Sequence, residues 1–227
     1  MSALPEPPPA SAAVVVPVKS FTQAKARLAG RLDAATRVEL ARAMAATVLR
    51  AAREMPVVVV CDDPEVRAWA EREGAEALWT PGLGLNGAVE AGVDHLRRAG
   101  VARAVVAHAD LPLATDLRWV ARSPFVTLVP DRHRDGTNVA CVPTDAGFRF
   151  SYGPGSFAAH RAEAARLGLV ARLVPDAALG WDVDLPADLV LPDPRQLPRS
   201  VAALVAAATA AGAEPGEAPA RHAAEVR

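Results

Sequence analysis

The stretch AVVAHADLPL, Ala104 to Leu113, runs apolar until Asp110, and Pro112 forbids a strand from continuing. A carboxylate at that point is either a helix cap or part of a site. As a cap it would stand directly before its helix, yet Leu111 and Pro112 intervene before the next helical pattern. A second acidic cluster, GWDVDLPADL, places Asp182 and Asp184 at i and i+2, on one side of an extended segment. Like charges that close are costly unless a cation neutralises them. Hard oxygen donors from separate loops suit Mg²⁺, with substrate phosphates completing its shell. Asp188, just past Pro186, reads as an exposed first-turn helix acid and stays outside the set.

Other segments carry polar chemistry at the ends of apolar runs. KSFTQAKARLAG holds Lys19, Lys25 and Arg27 straight after the first run, as a solvated loop or a site for a phosphate. GLGLNG carries Gly82, Gly84 and Gly87 in G-x-G-x-x-G spacing. It follows the third strand rather than the first, so a dinucleotide site is not expected; it is a flexible connection or a close backbone approach to a nucleotide. DRHRDGTNVACV offers Gly136, Thr137 and Asn138, and YGPGSFAAH offers Gly153, Gly155 and Ser156 at a helix start. Turn chemistry explains both, but a hydroxyl on a glycine-flexed helix N-terminus also suits an anion. The five histidines show no i, i+4 pairing; His160 reads as surface or packed, and His108 as a buried structural residue or a ligand contact. No G-x-S-x-G elbow or P-loop is present.

These segments sit between regular elements. Strands are expected at 12–18, 56–61, 75–80, 102–109, 124–130, 137–143 and 169–175. Helices are expected at 36–53, 64–73, 86–100, 115–122 and 156–168, with Thr36 and Glu39 as a capping box for the first and Gly74 ending the second. The alternation predicts an α/β fold: a single Rossmann-like domain over 12–192, its central sheet mostly parallel, with helices on both faces. A Pro-rich disordered arm is expected over 1–11, and an Ala/Pro-rich tail over 193–227 with one helix near 198–211. The 227 residues have a net charge of −1, which gives no global field toward nucleic acid or membrane. Two distant cysteines fit a reducing cytoplasm, and the N-terminus lacks the pattern of a signal peptide.

Taken in order, VPVKSFTQAKARLAG, GLGLNGAV, HADLPL, VPDRHRDGTNV, YGPGSFAAHR and DVDLPADL resemble one family, the guanylyltransferases of coenzyme F-420 biosynthesis, over about residues 13–191. The resemblance implies a nucleotidyltransferase fold and transfer of GMP from GTP to a small phosphorylated carboxylic acid, with release of pyrophosphate. It implies Mg²⁺ on Asp110, Asp182 and Asp184, GTP phosphates on Lys19 and Lys25, and the nucleoside along Gly82, Gly84 and Asn86. Thr137, Gly153 and Ser156 would hold the acceptor. Two departures stand out: Pro81 and Leu83 interrupt the glycine run, and His108 stands where a proline is common. An Ala/Arg-rich composition points to a GC-rich genome, where phosphoenolpyruvate-using members are typical, so phosphoenolpyruvate is the expected acceptor. The alternatives are 2-phospho-L-lactate or 3-phosphoglycerate, a non-catalytic nucleotide-binding regulator, and an NAD-dependent reductase. A labile product also makes hand-off to a downstream transferase an expectation.

Overall fold

The computed structural model describes residues 11–190, 197 and 199–211. Seven strands are formed: β1 (Ala12–Pro17), β2 (Val57–Cys61), β3 (Glu76–Trp79), β4 (Arg103–Ala107), β5 (Val126–Pro130), β6 (Thr137–Pro143) and β7 (Ala171–Leu173). They make one sheet in the order β3-β2-β1-β4-β6-β5-β7. All pairings are parallel except those of β6, which runs against both β4 and β5. The reason is the connection. Only Asp131–Gly136 separates β5 from β6, too short for a crossover, so the chain folds back as a hairpin. Asp131 shapes that turn by accepting from the amides of Asp135 and Gly136, at 3.0 and 2.9 Å.

The apolar runs alternate between two buried faces, as a sheet covered on both sides requires. Val14, Val16, Val59 and Val105 pack under helices α1 (Ala34–Ala51), α2 (Pro64–Arg72) and α4 (Arg118–Ala121). Val15, Val58, Val60 and Val106 pack under α3 (Gly84–Arg98) and α5 (Ser156–Arg166). At Gly92 of α3 a Cβ would lie 2.8 Å from side-chain carbons of both Val15 and Val60, so the helix sits closer than alanine permits.

Two expectations are corrected here. Asp33, not Thr36, caps α1: its carboxylate accepts from the Thr36 amide at 2.7 Å, which makes Thr36 the third residue of the helix. The helix α1 is apolar on two sides. Leu40 and Met44 turn away from the sheet, into a cluster with Val201 and Val205 of α6 (Arg199–Ala211). Asp188 is not an exposed helix acid but is buried, for reasons given below. The remaining strands and helices fall within a few residues of their expected bounds. Of the Pro-rich arm only Ser11 is described, and it already bonds the amides of Ala102 and Arg103; the rest of the arm, and the tail beyond Ala211, lie outside the described residues. No described helix is long and apolar enough to cross a membrane.

Candidate active site

Strand order reverses at β1, which lies between β2 and β4. In open α/β sheets the crevice at such a point, outside the carboxyl ends of the strands, is the natural ligand site. A cavity of about 790 Å³ opens there, lined among others by Lys19, Lys25, Asp62, Thr80, Gly82, Gly84, His108 and Asp110.

Lys25 lines it. The chain leaves β1, and Lys25 takes a left-handed conformation (φ 57°) immediately before a short 3-10 turn whose Leu28 is fully buried. A non-glycine residue in that region is strained, and here the surroundings hold it so. Its ammonium donates to Asp110 at 2.6 Å and to Asp184 at 2.9 Å. The lysine side chain is 9% exposed and that of Asp110 20%. Burial by itself would lower the Lys25 pKa, but the two carboxylates outweigh it and hold the value above the ordinary lysine range. Burial likewise works to raise Asp110, and the Lys25 charge overcomes it, leaving that carboxyl below its usual range.

Asp182 behaves oppositely. Burial, and then the negative charge of Asp110, push its carboxyl up, with only a long 3.4 Å contact from the Asn138 amide to offset them. Asp110 Oδ1 is buried with no hydrogen-bond partner. Acids crowded enough to oppose one another, one with an unpartnered oxygen, fit a divalent cation that completes its shell on substrate phosphates. They do not form a closed cage: among the described residues, no three acids, histidines or cysteines stand close enough to hold a metal alone.

The DVD segment has no regular structure, so side chains must hold it. The buried carboxylate of Asp188 accepts from the amides of Asp184 and Leu185, at 2.8 and 2.7 Å, and pairs with Arg132. Arg132 also donates to the Asp182 carbonyl at 3.2 Å and lies 4.5 Å over the ring of Trp181, whose indole N–H donates to the Asp188 carbonyl. The amide of Val183 donates to the carbonyl of Asp110 at 3.2 Å, which ties the segment to β4. Sequence reasoning missed this clasp. The available signal was an acid two residues after a proline at a helix start, a position that can fold back on preceding amides as readily as face water.

The expected nucleoside stretch is divided. Gly82 and Gly84 line the cavity in left-handed conformations, φ 73° and 64°, and Gly84 opens α3. Asn86 is turned elsewhere: its side-chain oxygen accepts from the Tyr152 amide at 2.7 Å, bracing the segment before Gly153. Lys19 is exposed at the cavity's edge.

Thr137 and Ser156 are brought together but are 1% and 2% exposed and bonded to each other, the Thr137 amide donating to the Ser156 hydroxyl oxygen at 3.0 Å. The expected anion position at the start of α5 is met by the chain itself. Asp135 accepts from the Gly155 amide with its carboxylate (3.1 Å) and from the Phe157 amide with its carbonyl (2.9 Å). Gly153, at φ 127°, is the exposed member of this group. Beneath it, His160 is fully buried. The Ser151 amide donates to its Nε2 at 3.0 Å, which assigns the ring proton to Nδ1, 3.0 Å from the Thr137 hydroxyl. Burial, helped by the charge of a protonated His108, lowers its pKa to about 4.

Comparison with known proteins converges on one group. The model of the family described as guanylyl transferase CofC like matches residues 12–191. A phosphoenolpyruvate guanylyltransferase of Sphaerobacter thermophilus is 40% identical, covering 77% of this chain and 89% of its own. One of Conexibacter woesei is 38% identical over 77% and 84%. A 2-phospho-L-lactate guanylyltransferase of Methanothrix thermoacetophila is 36% identical over 78% and 80%. In fold the chain is similar to a protein assigned as a nucleotide-diphospho-sugar transferase from Desulfovibrio desulfuricans G20, with TM-score 0.67 and 17% identity over 88% of this chain and 96% of that one. It is also similar to CMP:2-keto-3-deoxy-manno-octonic acid synthetase complexed with CTP, with TM-score 0.52 and 17% identity over 86% and 98%.

Proposed function

We propose, from the premise that this chain belongs to the guanylyl transferase CofC-like family, that it transfers GMP from GTP to phosphoenolpyruvate in coenzyme F-420 biosynthesis. An oxygen of the acceptor's phosphate attacks the α-phosphorus of GTP, the bond to the β-phosphate breaks, and pyrophosphate leaves with the electron pair. The product is enolpyruvyl-diphospho-guanosine. The attacking oxygen is ionised near neutral pH, so no general base is needed, and the protein's task is to position two anions and offset their charge.

The observation that carries this reading is the Lys25–Asp110–Asp184 cluster, of which Lys25 and Asp110 follow β1 and β4 and line a cavity large enough for a nucleotide. Lys25 and Lys19 meet the GTP phosphates, and the Gly82–Gly84 turn receives the nucleoside, where a backbone without side chains permits close approach. Asn86, through its bond to the Tyr152 amide, braces the segment before Gly153. The acceptor lies toward β6, along the wall formed by Thr137, Gly153 and Ser156. Asp110, Asp182 and Asp184 hold Mg²⁺, which when bound supplies positive charge to the reacting phosphates. The reaction belongs to the cytoplasm, and the labile product is passed to the next transferase of the pathway.

The test is product mass spectrometry after incubation with GTP, Mg²⁺ and one acceptor at a time. A guanylylated product from phosphoenolpyruvate is the expected result. The same product class from 2-phospho-L-lactate alone would keep the reaction and change the acceptor, an outcome that the Methanothrix relative makes worth measuring. No product from either acid, with GTP still bound, would overturn the reading in favour of a nucleotide-binding regulator.

A further inference from the structure

The charged cluster is carried by three loops. Lys25 precedes the single 3-10 turn Ala26–Leu28, Asp110 stands between β4 and α4, and Asp182 and Asp184 precede a second 3-10 turn, Pro186–Leu189. Each loop sends an apolar side chain into the interior. Leu28, three residues past Lys25, and Leu113, three past Asp110, are both buried. Val183 is fully buried between two partly exposed aspartates, the alternation of an extended segment. These three side chains meet in one apolar cluster, separate from the two that cover the sheet.

The cluster is closed from outside by α6. Val201 and Val205, one turn apart on the same helix face, are buried in it, with Leu197 just before the helix. Leu40 and Met44 of α1 complete it, and Met44 also lines the cavity. The helix packs mainly on α1 and on the Pro186–Leu189 turn. Among the described residues it adds nothing to the two clusters that cover the sheet. It also lies outside residues 12–191, the part of the chain that the family model matches.

We infer that α6 is a positioning element for the reaction: by closing the apolar cluster behind the three loops, Val201 and Val205 fix where Lys25, Asp110, Asp182 and Asp184 stand relative to one another. This rests on the guanylyltransferase reading above. Protein interiors are close-packed, so a gap opened at Val201 or Val205 is felt by the side chains that touch it, and those belong to the loops. A misplacement of about 1 Å in a reacting constellation costs about a hundredfold in rate. The sheet keeps its own two clusters whatever happens to α6, so the lesion loosens the loops while the domain stays folded.

The test uses the full chain at a temperature where every variant is fully folded by circular dichroism. Two quantities are read: kcat, and the dissociation constant of the Mn²⁺–GTP complex from water proton relaxation. Val201→Ala with Val205→Ala is expected to lower kcat by about tenfold and to weaken Mn²⁺–GTP binding by a similar factor. Metal-free GTP, measured with a chelator present, should lose less. Val205→Ala alone should show the same pattern at about threefold, and carries the test if the double variant does not fold. Val201→Ile, which keeps the cluster filled, should stay within about twofold of wild type. Leu96→Ala, a lesion in the cluster under α3, should lower Tm without moving kcat or Mn²⁺–GTP binding. If α6 only adds stability, the alanine variants lower Tm and leave kcat and Mn²⁺–GTP binding at wild-type values, which overturns the inference. An equal loss of kcat in Leu96→Ala overturns it too, because any core lesion would then reach the site. If the unmodified protein makes no guanylylated product, the parent reading has failed and this one falls with it; if it does and the alanine variants behave as wild type, only this inference has failed.

Discussion

The β1–β4 half of the sheet's carboxyl edge and the β6–α5 half are built from similar polar residues used in contrasting ways. Around Lys25 charges oppose or neutralise one another across long sequence separations, and Asp110 keeps a buried oxygen without a partner. Around Thr137 the polar groups are nearly all answered from within the chain: Thr137 by Ser156 and His160, His160 by Ser151, the start of α5 by Asp135. The first half carries frustration that a substrate or cation relieves, and the second is a wall braced from within. The difference teaches where to look for chemistry, because satisfied polar networks rigidify while incompletely satisfied ones bind.

Breaking the first half should cost activity far more than stability. Asp110→Asn keeps the shape and removes the charge, and we expect turnover to fall by about a thousandfold with an unchanged circular dichroism spectrum. Wild-type-like turnover in that variant would remove Asp110 from the reaction. Asp188→Asn tests the boundary between the halves. The carboxylate is 2% exposed and holds both Arg132 and the amides of Asp184 and Leu185. We expect a loss of about 3 kcal/mol in denaturant unfolding, with a fall in turnover of about tenfold as the DVD segment loosens. Equal stability in the two proteins would show the clasp to be idle.

The second half should respond to pH. His160 titrates near 4 in the folded protein against about 6.5 when unfolded, because burial opposes its charge; a protonated His108 adds to the effect and Glu163 opposes it. Between these values the unfolded chain binds a proton that the folded one does not. The stabilisation is therefore complete above pH 6.5, declines as the pH falls, and is gone below about pH 4, a change of at most about 3 kcal/mol. Unfolding free energies measured across that range should show the decline, and His160→Gln should flatten it. An unchanged slope in the variant would place the acid sensitivity elsewhere.

Much of this was legible in the residues. Valine runs at β1, β2 and β4 identify buried strands because only a sheet covered on both faces accommodates apolar side chains on both sides. Asp110 stood out because its strand ends at a charge followed by proline. Asp188 misled because a first-turn acid looks the same whether it faces water or folds back on two amides. Asn86, Thr137 and Ser156 were legible as polar residues at element ends, but not in the direction their atoms face.

The sequence by itself determined the alternation of strands and helices and the identity of the residues able to carry charge at each strand end. Those features depend on local sterics and on hydrophobic periodicity, which neighbouring residues specify. Only the tertiary structure decided that Lys25 would stand between Asp110 and Asp184, 85 and 159 residues away in the chain, and that Arg132 and Asp188 would hold the segment in place. Electrostatic energy depends on separation in space and on burial, and neither is a function of spacing along the chain.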